Sequence, residues 1–154
     1  MRAPGPLAAR RGLTVRDYDP GVRTPEQILA EARTIALVGA SPNPDRASNS
    51  VMRYLLAQGY DVIPVRPLDC DEVLGISCVT SLAEIDRPID LVDVFRRADF
   101  TPPHAREAVE VGAGALWLQL GIVSAESRAI AEAAGLDYVE DLCTAVVHRY
   151  EVRE

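Results

Sequence analysis

Four arginines follow segments that have the apolar character of buried β-strands. Arg46 lies in the loop after one such run, Arg66 comes directly after a second, and Arg96 and Arg97 come after a third. The carboxyl ends of parallel strands meet at one edge of a sheet, so we expect these side chains to share that edge. The whole chain has a formal net charge of −7. Clustered guanidinium groups on an acidic protein favour an anionic ligand.

The loop that begins with Gly39, Ala40 and Ser41 and ends near Arg46 and Ser48 is a candidate phosphate site. A glycine allows close approach of the backbone. The free amides and the dipole at the start of the following helix favour a phosphate. The alternative is ordinary helix capping beside a solvated arginine. Because the loop holds a single glycine, it is not the G-x-G-x-x-G dinucleotide fingerprint.

The second predicted strand ends at Arg66, which is followed by Pro67. A protein that binds NAD usually has Asp or Glu at this position to bind the ribose. An arginine there instead favours a ligand with an additional ribose phosphate, and both coenzyme A and NADP carry one. The alternative is an arginine at the surface with no ligand.

Residue types exclude several classes of chemistry. All 16 basic residues are arginines, so a Schiff-base lysine, pyridoxal phosphate chemistry and a Walker A loop are excluded. The two histidines, His104 and His148, are expected to be structural or exposed. No Ser-His-Asp or Cys-His arrangement can be inferred, so we predict no catalytic residue, and whether the chain is an enzyme stays open.

The three cysteines are Cys70, Cys78 and Cys143. Their spacing is not a metal signature, so no metal site is predicted, and their odd number favours reduced thiols in the cytoplasm. Cys143 follows a predicted strand, and its thiol is expected at the carboxyl edge, where it could form a mixed disulfide with a ligand thiol. The alternative is a small buried side chain that packs the terminal helix.

Apolar runs alternate with segments of helical periodicity from residue 24 onward. This alternation predicts an α/β fold, a single Rossmann-like doubly wound domain with a mostly parallel sheet of about five strands flanked by helices. Thr24, Thr101 and Ser124 are predicted helix N-caps. The predicted strands are 34–39, 60–65, 89–95, 115–119 and 136–139, and the predicted helices are 24–33, 48–58, 101–111, 124–135 and a segment from about 144.

Residues 1–23 differ from the rest, with five Arg, two Asp and no apolar period, and we predict a flexible basic tail before a domain at 24–154. No secretory signal and no apolar run of about 18 residues is present, which predicts a cytoplasmic protein without a membrane partner. The acidic balance disfavours a nucleic-acid partner.

Five segments occur in the order typical of one family. They are VGASPNPDRAS (38–48), VMRYL (51–55), GYDVIPVRP (59–67), VDVFRR (92–97) and WLQLGI (117–122). Together they resemble the single-domain CoA-binding proteins, which are similar to the CoA-binding Rossmann domain of succinyl-CoA synthetase α subunits. The resemblance covers about residues 25–150.

The resemblance implies that coenzyme A lies over the 39–48 loop, with its adenine near residues 65–67. It also implies that the ends of two further strands line the same crevice, which adds Phe95, Arg96, Arg97, Gln119 and Gly121 to the site. Two positions depart from the family pattern. Arg66 stands where the family usually has Asn, and Ala47 stands where Pro is common. The synthetase's phosphohistidine lies in another domain, so neither histidine here inherits its role.

These observations support a small non-catalytic module that binds or senses coenzyme A or an acyl-CoA. The alternatives are an NADP-linked oxidoreductase, a partner subunit of an acyl-CoA ligase, and a structural domain with an empty crevice. No protein partner can be named from the sequence.

Overall fold

The five strands of the main sheet are short and largely buried runs that consist mostly of apolar residues. A loop, turn or helix follows each of them. The structure is a computed structural model that describes residues 22–68 and 71–152. The elements in chain order are α1 (Pro25–Glu31), β1 (Thr34–Val38), α2 (Ala47–Ala57), β2 (Asp61–Val65), β3 (Glu72–Val73), β4 (Ile76–Ser77), a 3₁₀ turn (Leu82–Glu84), β5 (Leu91–Val94), a second 3₁₀ turn (Ala98–Phe100), α3 (Thr101–Glu110), β6 (Ala115–Leu118), α4 (Ala125–Ala133), β7 (Asp137–Val139), α5 (Thr144–Val147) and a π-helical turn (His148–Val152).

Five of the strands form one sheet in the order β2-β1-β5-β6-β7, and every neighbouring pair in it is parallel. The chain runs outward from β1 to β2 and then returns to place β5 on the other side of β1. The strand order therefore reverses between β1 and β5, and a crevice forms at the carboxyl ends of these two strands. The predicted α/β fold with a doubly wound parallel sheet of five strands is confirmed.

The sheet separates two apolar cores, because successive side chains of a strand point to opposite faces. Leu37 and Trp117 lie in the core that α1, α2 and the terminal helical segment cover. Val38 and Leu118 lie in the other core, which includes Ala105 and Ala108 of α3 and Ala131 of α4. Both faces of the sheet are thus buried, and the loops at its carboxyl edge are left as the open surface.

Two local predictions need correction. Thr101 is the first residue of α3 rather than its N-cap, since a 3₁₀ turn precedes it, and its hydroxyl hydrogen-bonds Ala98 O and Ser127 Oγ. Because Pro64 has no N–H, the sequence predicts an irregular strand at this residue, but β2 is continuous from Asp61 to Val65 and Pro64 keeps its place in the register. It lies in an edge strand, and its carbonyl accepts the Val79 amide on the side away from β1, so no bond of the sheet is lost at its missing N–H.

Residues 1–21 of the predicted tail lie outside the described residues. Arg23 is held against the domain by Asp137 at 2.7 Å and Glu31 at 2.9 Å. Cys78 is disulfide-bonded, so the expectation of reduced thiols is wrong for this residue, whereas Cys143 is a free thiol.

Across the described ranges, no helix has the length and apolar character needed to cross a membrane. The cytoplasmic location stays a prediction.

Candidate functional site

The carboxyl edge is assembled by backbone hydrogen bonds that continue past the strand ends. The Gly39 amide donates to Val65 O at 3.0 Å, the Phe95 amide to Val38 O at 2.8 Å, and the Gln119 amide to Val94 O at 3.2 Å. These bonds bring the first residues after four neighbouring strands side by side. The loops that the sequence separates by tens of residues therefore form one continuous surface.

Gly39 is required by the packing of this edge. Its φ is +89°, and a Cβ atom placed on it would lie 2.5 Å from the Phe95 carbonyl oxygen. We expected the glycine to allow close approach of a ligand. The close approach in the structure is instead that of the neighbouring strand end, so Gly39 fixes the spacing between the first loop and Phe95.

A cavity of about 620 Å³ lies at the carboxyl ends of β1, β2 and β5, and we call it the polar cleft. The guanidinium of Arg66 is fixed on its wall, because Nη1 donates to the Ala40 carbonyl at 3.0 Å. The residues that line the polar cleft are Gly39, Ala40, Ser41, Arg46, Arg66, Pro67, Leu68, Phe95 and Arg96.

The arginines of this edge carry uncompensated charge. The guanidinium groups of Arg96 and Arg97 lie over the Phe100 ring at 5.1 and 5.4 Å, and Arg96 also contacts His104 Nε2 at 3.4 Å. Among the described residues, no carboxylate forms a salt bridge with these two or with Arg46 or Arg66. Several guanidinium groups at one edge without counterions attract an anion.

His104 has a structural role beside the polar cleft. Its Nδ1 lies 3.0 Å from a carboxylate oxygen of Glu107. A guanidinium can only donate hydrogen bonds, and an ionised carboxylate can only accept them. Nδ1 therefore carries the proton, and Nε2 is left as the acceptor for Arg96. The histidine thus links Arg96 to α3.

The first loop is shaped by its own hydrogen bonds. The Asn43 amide donates to Ser41 Oγ, the Asp45 amide to Asn43 Oδ1, and Asn49 Nδ2 to Ser41 O. Arg46 occupies the N-cap of α2 and makes no side-chain cap hydrogen bond. The Asn49 amide donates to the Arg46 carbonyl at 3.0 Å, and no side-chain oxygen caps the amides of Ala47 and Ser48 among the described residues, so the positive dipole end of α2 lies beside Arg46.

A second cavity of about 410 Å³ adjoins the polar cleft, and we call it the apolar cleft. The linings of the two clefts share Phe95 and Arg96, so the clefts lie side by side along the carboxyl edge. The residues that line the apolar cleft are Ala47, Val51, Phe95, Arg96, Arg97, Gln119, Leu120, Ile122 and Cys143.

A buried carboxyl group lies beneath the apolar cleft. Asp93 is fully buried and accepts hydrogen bonds from Gln119 Nε2 at 2.6 Å and Thr144 Oγ1 at 3.0 Å. Burial raises the pKa of Asp93 to about 7, against the smaller lowering effect of these two hydrogen bonds. This network joins β5, β6 and the start of α5.

The same network fixes the orientation of the Gln119 side chain. Its Nε2 donates to both Asp93 Oδ1 and Thr144 Oγ1, which uses both N–H bonds. Its Oε1 has no hydrogen-bond partner among the described residues, and no buried side-chain oxygen among them lacks a partner. Oε1 is therefore accessible in the apolar cleft that Gln119 lines.

Most of the site residues predicted from the sequence line the two clefts, and two do not. Ser48 is buried in the first turn of α2, and the Gly121 amide donates to Asp141 Oδ1 at 2.7 Å. The predicted residues that line a cleft are Gly39, Ala40, Ser41, Arg46, Arg66, Pro67, Phe95, Arg96, Arg97 and Gln119.

The prediction omitted part of the apolar wall. Its members come from the start of α2, from the loop after β6 and from the N-cap of α5. Their signal in the sequence was weak, because small and apolar residues at such positions also occur in any core. The omitted residues are Ala47, Val51, Leu68 and Ile122, whereas Cys143 had been placed at this edge from the sequence.

Two similar proteins match most of this chain in sequence. The uncharacterized protein YneT of Bacillus subtilis (strain 168) is 42% identical over 123 residues, which cover 80% of this chain and 90% of that protein. A solved structure of a hypothetical protein from Pyrococcus horikoshii OT3 is 40% identical with a TM-score of 0.78, and the match covers 82% of this chain and 91% of that one.

A more distant likeness concerns the fold alone. The dinucleotide-forming acetyl-coenzyme A synthetase 1 of Ca. Korarchaeum cryptofilum is 22% identical with a TM-score of 0.63, over 71% of this chain and 26% of that one.

The family model described as the CoA binding domain matches residues 33–149, which contain all of the strands and both clefts. The chain therefore belongs to the CoA-binding domain family.

Proposed function

We propose that this protein binds coenzyme A or an acyl-CoA as a small non-catalytic binding or sensing module. The observation that carries the proposal is that the two clefts are adjacent and share Phe95 and Arg96 in their linings. One cleft offers uncompensated positive charge, and the other offers an apolar wall with one exposed acceptor. Coenzyme A has the same division, with a phosphorylated nucleotide at one end and a long pantetheine arm with a thiol at the other.

The nucleotide end fits the polar cleft by charge. The pyrophosphate binds beside Arg46 and the uncapped first turn of α2, where amides and the helix dipole add to the guanidinium. Arg66, held toward the cleft by Ala40 O, is the partner proposed for the additional ribose phosphate. This assignment gives a role to the arginine that stands where the family usually has Asn.

The pantetheine arm fits the apolar cleft. Val51, Leu120 and Ile122 cover its methyl and methylene groups, and Gln119 Oε1 accepts a hydrogen bond from one of its amide N–H groups. Because the arm is bound through these contacts, the cleft distinguishes coenzyme A from NADP, which carries a second nucleotide in place of the arm.

The side chains that line the two clefts support the proposal of binding over turnover. Among the described residues of the two clefts there is no His, Asp, Glu, Lys or Tyr, the groups that most often transfer protons in catalysis. Arginine, glutamine and one cysteine provide charge, hydrogen bonding and a thiol. These are sufficient to hold a ligand and to report its presence to a partner.

A thermal-shift panel tests the proposal. Coenzyme A or acetyl-CoA at 100 times its Kd should add about 2.7 kcal/mol to the free energy of unfolding. At the same ligand concentration, NADP is expected to add less to the free energy of unfolding, and NAD, which lacks the ribose phosphate, least of all. Stabilisation by NAD or NADP equal to that by coenzyme A would refute the proposal.

Dephospho-CoA tests the role of Arg66 separately. We expect the unaltered protein to bind it more weakly than coenzyme A, and Arg66→Ala to remove most of that difference. A difference that persists in the variant would exclude Arg66 as the partner of the ribose phosphate, and coenzyme A binding itself would stand.

A further inference from the structure

Cys143 lies in the wall of the apolar cleft with its thiol free. It is half-buried, occupies the N-cap position of α5 and makes no side-chain cap hydrogen bond. Cys78 is disulfide-bonded, so of these two cysteines only Cys143 has a thiol ready to react. Its position on the wall allows a molecule in the cleft to reach the sulfur.

A second observation points to what occupies this part of the cleft. Gln119 is only 4% exposed, yet its Oε1 is an accessible acceptor in the same cleft, because Asp93 and Thr144 hold its amide nitrogen on the other side. An accessible acceptor whose orientation the protein fixes can receive a hydrogen bond from a ligand donor. The site therefore suits an arm that carries an amide N–H and ends near the cysteine.

We propose that Cys143 captures coenzyme A covalently, by thiol–disulfide exchange in the apolar cleft. The inference rests on the proposed function, because the arm of coenzyme A must lie in that cleft. The reacting partner is an oxidised form of the ligand, such as the symmetrical disulfide of coenzyme A.

The exchange is balanced without any further oxidant. The Cys143 thiol first loses its proton to solvent. The thiolate then attacks one sulfur of the ligand disulfide, a Cys143–CoA disulfide forms, and the bond between the two ligand sulfurs breaks. The second coenzyme A leaves as a thiolate and takes up a proton. A small-molecule thiol reverses the reaction by the same exchange.

Such capture changes retention of the ligand. Reversibly bound coenzyme A leaves when its free concentration falls, whereas the mixed disulfide stays until a thiol reduces it. The protein then holds coenzyme A under oxidising conditions and releases it under reducing conditions.

The test uses the full chain, purified without reductant, and two disulfides. The disulfide of coenzyme A and hydroxyethyl disulfide are each added, and the adduct is located by peptide mass mapping. We expect one coenzyme A at Cys143, reversed by a thiol reductant, and no adduct in Cys143→Ser. In Arg46→Ala, the rate with the coenzyme A disulfide should fall about tenfold, and the rate with hydroxyethyl disulfide should not change.

The outcomes separate this inference from the proposed function. An adduct absent from Cys143, or confined to Cys70 or Cys78, overturns the covalent step. Equal rates for both disulfides, with no effect of Arg46→Ala, also overturn capture of a docked ligand. The thermal shift of the unaltered protein with coenzyme A in reductant is measured in parallel. If that shift is present while the adduct is missing, reversible binding stands alone, and if both are missing, both proposals are wrong.

Discussion

The two ends of the parallel sheet hold cavities of nearly equal size and very different chemistry. The polar cleft at the carboxyl end has about 620 Å³, and a cavity at the amino end has about 610 Å³. The second, which we call the amino-end cavity, is lined by residues 29–34 and 58–61 together with His148 and Val152.

Most polar groups that line the amino-end cavity have partners within the protein, and Arg33, which is exposed, is the exception among its described charged side chains. Asp61 accepts from Arg87 Nε at 2.7 Å and from Thr34 Oγ1 at 3.1 Å, and the Arg87 hydrogen bond lowers the pKa of that carboxyl. The Tyr60 hydroxyl donates to Leu29 O, and His148 Nδ1 lies 2.8 Å from the Tyr54 hydroxyl.

Among the described residues, no carboxylate forms a salt bridge with the three arginines of the polar cleft, Arg46, Arg66 and Arg96, whereas the amino-end cavity holds one such arginine, Arg33. Volume therefore does not distinguish the two cavities, and the number of arginines without a carboxylate partner does. In a chain of net charge −7, an arginine without an acidic partner is more informative than an empty space.

The largest expected effect is on the free energy of unfolding, and it distinguishes Gly39 at the carboxyl end of the sheet from Gly59 at the amino end. Gly39→Ala places a Cβ 2.5 Å from Phe95 O at a φ of +89°, and we expect it to lower the free energy of unfolding by about 3 kcal/mol or more. Gly59→Ala is the matched control, because its φ is +96° but no atom lies within 4 Å of the added Cβ. We expect it to cost about 1–2 kcal/mol. Urea denaturation measures both, and equal costs would mean that the approach of Phe95 is not the constraint.

Arginines at the two ends should differ in their effect on ligand affinity. Arg46→Ala should weaken coenzyme A binding tenfold or more, which corresponds to a charge-assisted hydrogen bond of roughly 1.5–3 kcal/mol. Its stability without ligand should hardly change. Arg87→Ala should leave coenzyme A affinity unchanged, because Arg87 lies beside the amino-end cavity.

Calorimetric titration of both variants measures the affinities. The same loss of affinity in the two variants would show that the effect is one of overall charge and not of position. Equal affinity of Arg46→Ala and the unaltered protein would remove Arg46 from the site.

Carboxylates at the two ends should give opposite pH dependence. The pKa of Asp93 is raised by burial to about 7, above the usual value of about 3.9 in an unfolded chain, so the native state binds the proton more tightly. The contribution of Asp93 to stability is therefore full below about pH 4 and declines as pH rises toward 7, with a slope approaching 1.4 kcal/mol per pH unit.

Asp93→Asn should remove this decline, because an amide cannot ionise. Asp61 is the control with the other sign. Its lowered pKa stabilises the fold above the unfolded pKa, and that contribution is lost as pH falls through the folded value. Denaturation series from about pH 2 to 8 compare the two Asn variants with the unaltered protein, because the Asp61 effect lies below about pH 4 and the Asp93 effect above it. An unchanged slope in Asp93→Asn would show that Asp93 does not carry the proton.

The strand ends were predictable because their signals are local. A buried parallel strand is a short apolar run, and the residue after it lies at the carboxyl edge whatever the helices do. This rule placed Gly39, Arg66, Phe95 and Gln119 together from the sequence. The N-cap at Ser124 was equally local, since its side chain accepts from an amide three residues on.

The residues that were not predicted depend on contacts between distant segments. Asp93 accepts hydrogen bonds from Gln119 and Thr144, which lie 26 and 51 positions away in the sequence. No periodicity in the sequence predicts such a network. Ile122 reaches the apolar cleft from the loop after β6, and no sequence pattern singled it out. The position of Ser48 at a helix start predicts that it faces a phosphate, but in the structure its side chain is buried in the first turn of α2.

The central claim is that the ligand lies at the carboxyl edge, and an NMR titration tests it directly. Coenzyme A is added to uniformly labelled protein in the presence of reductant, and amide shifts are followed residue by residue. We predict that the large changes fall in 39–48, 66–68, 95–97, 119–122 and 143, and that 29–34 and 58–61 hardly move. Large changes at the amino-end cavity with a silent carboxyl edge would contradict the account.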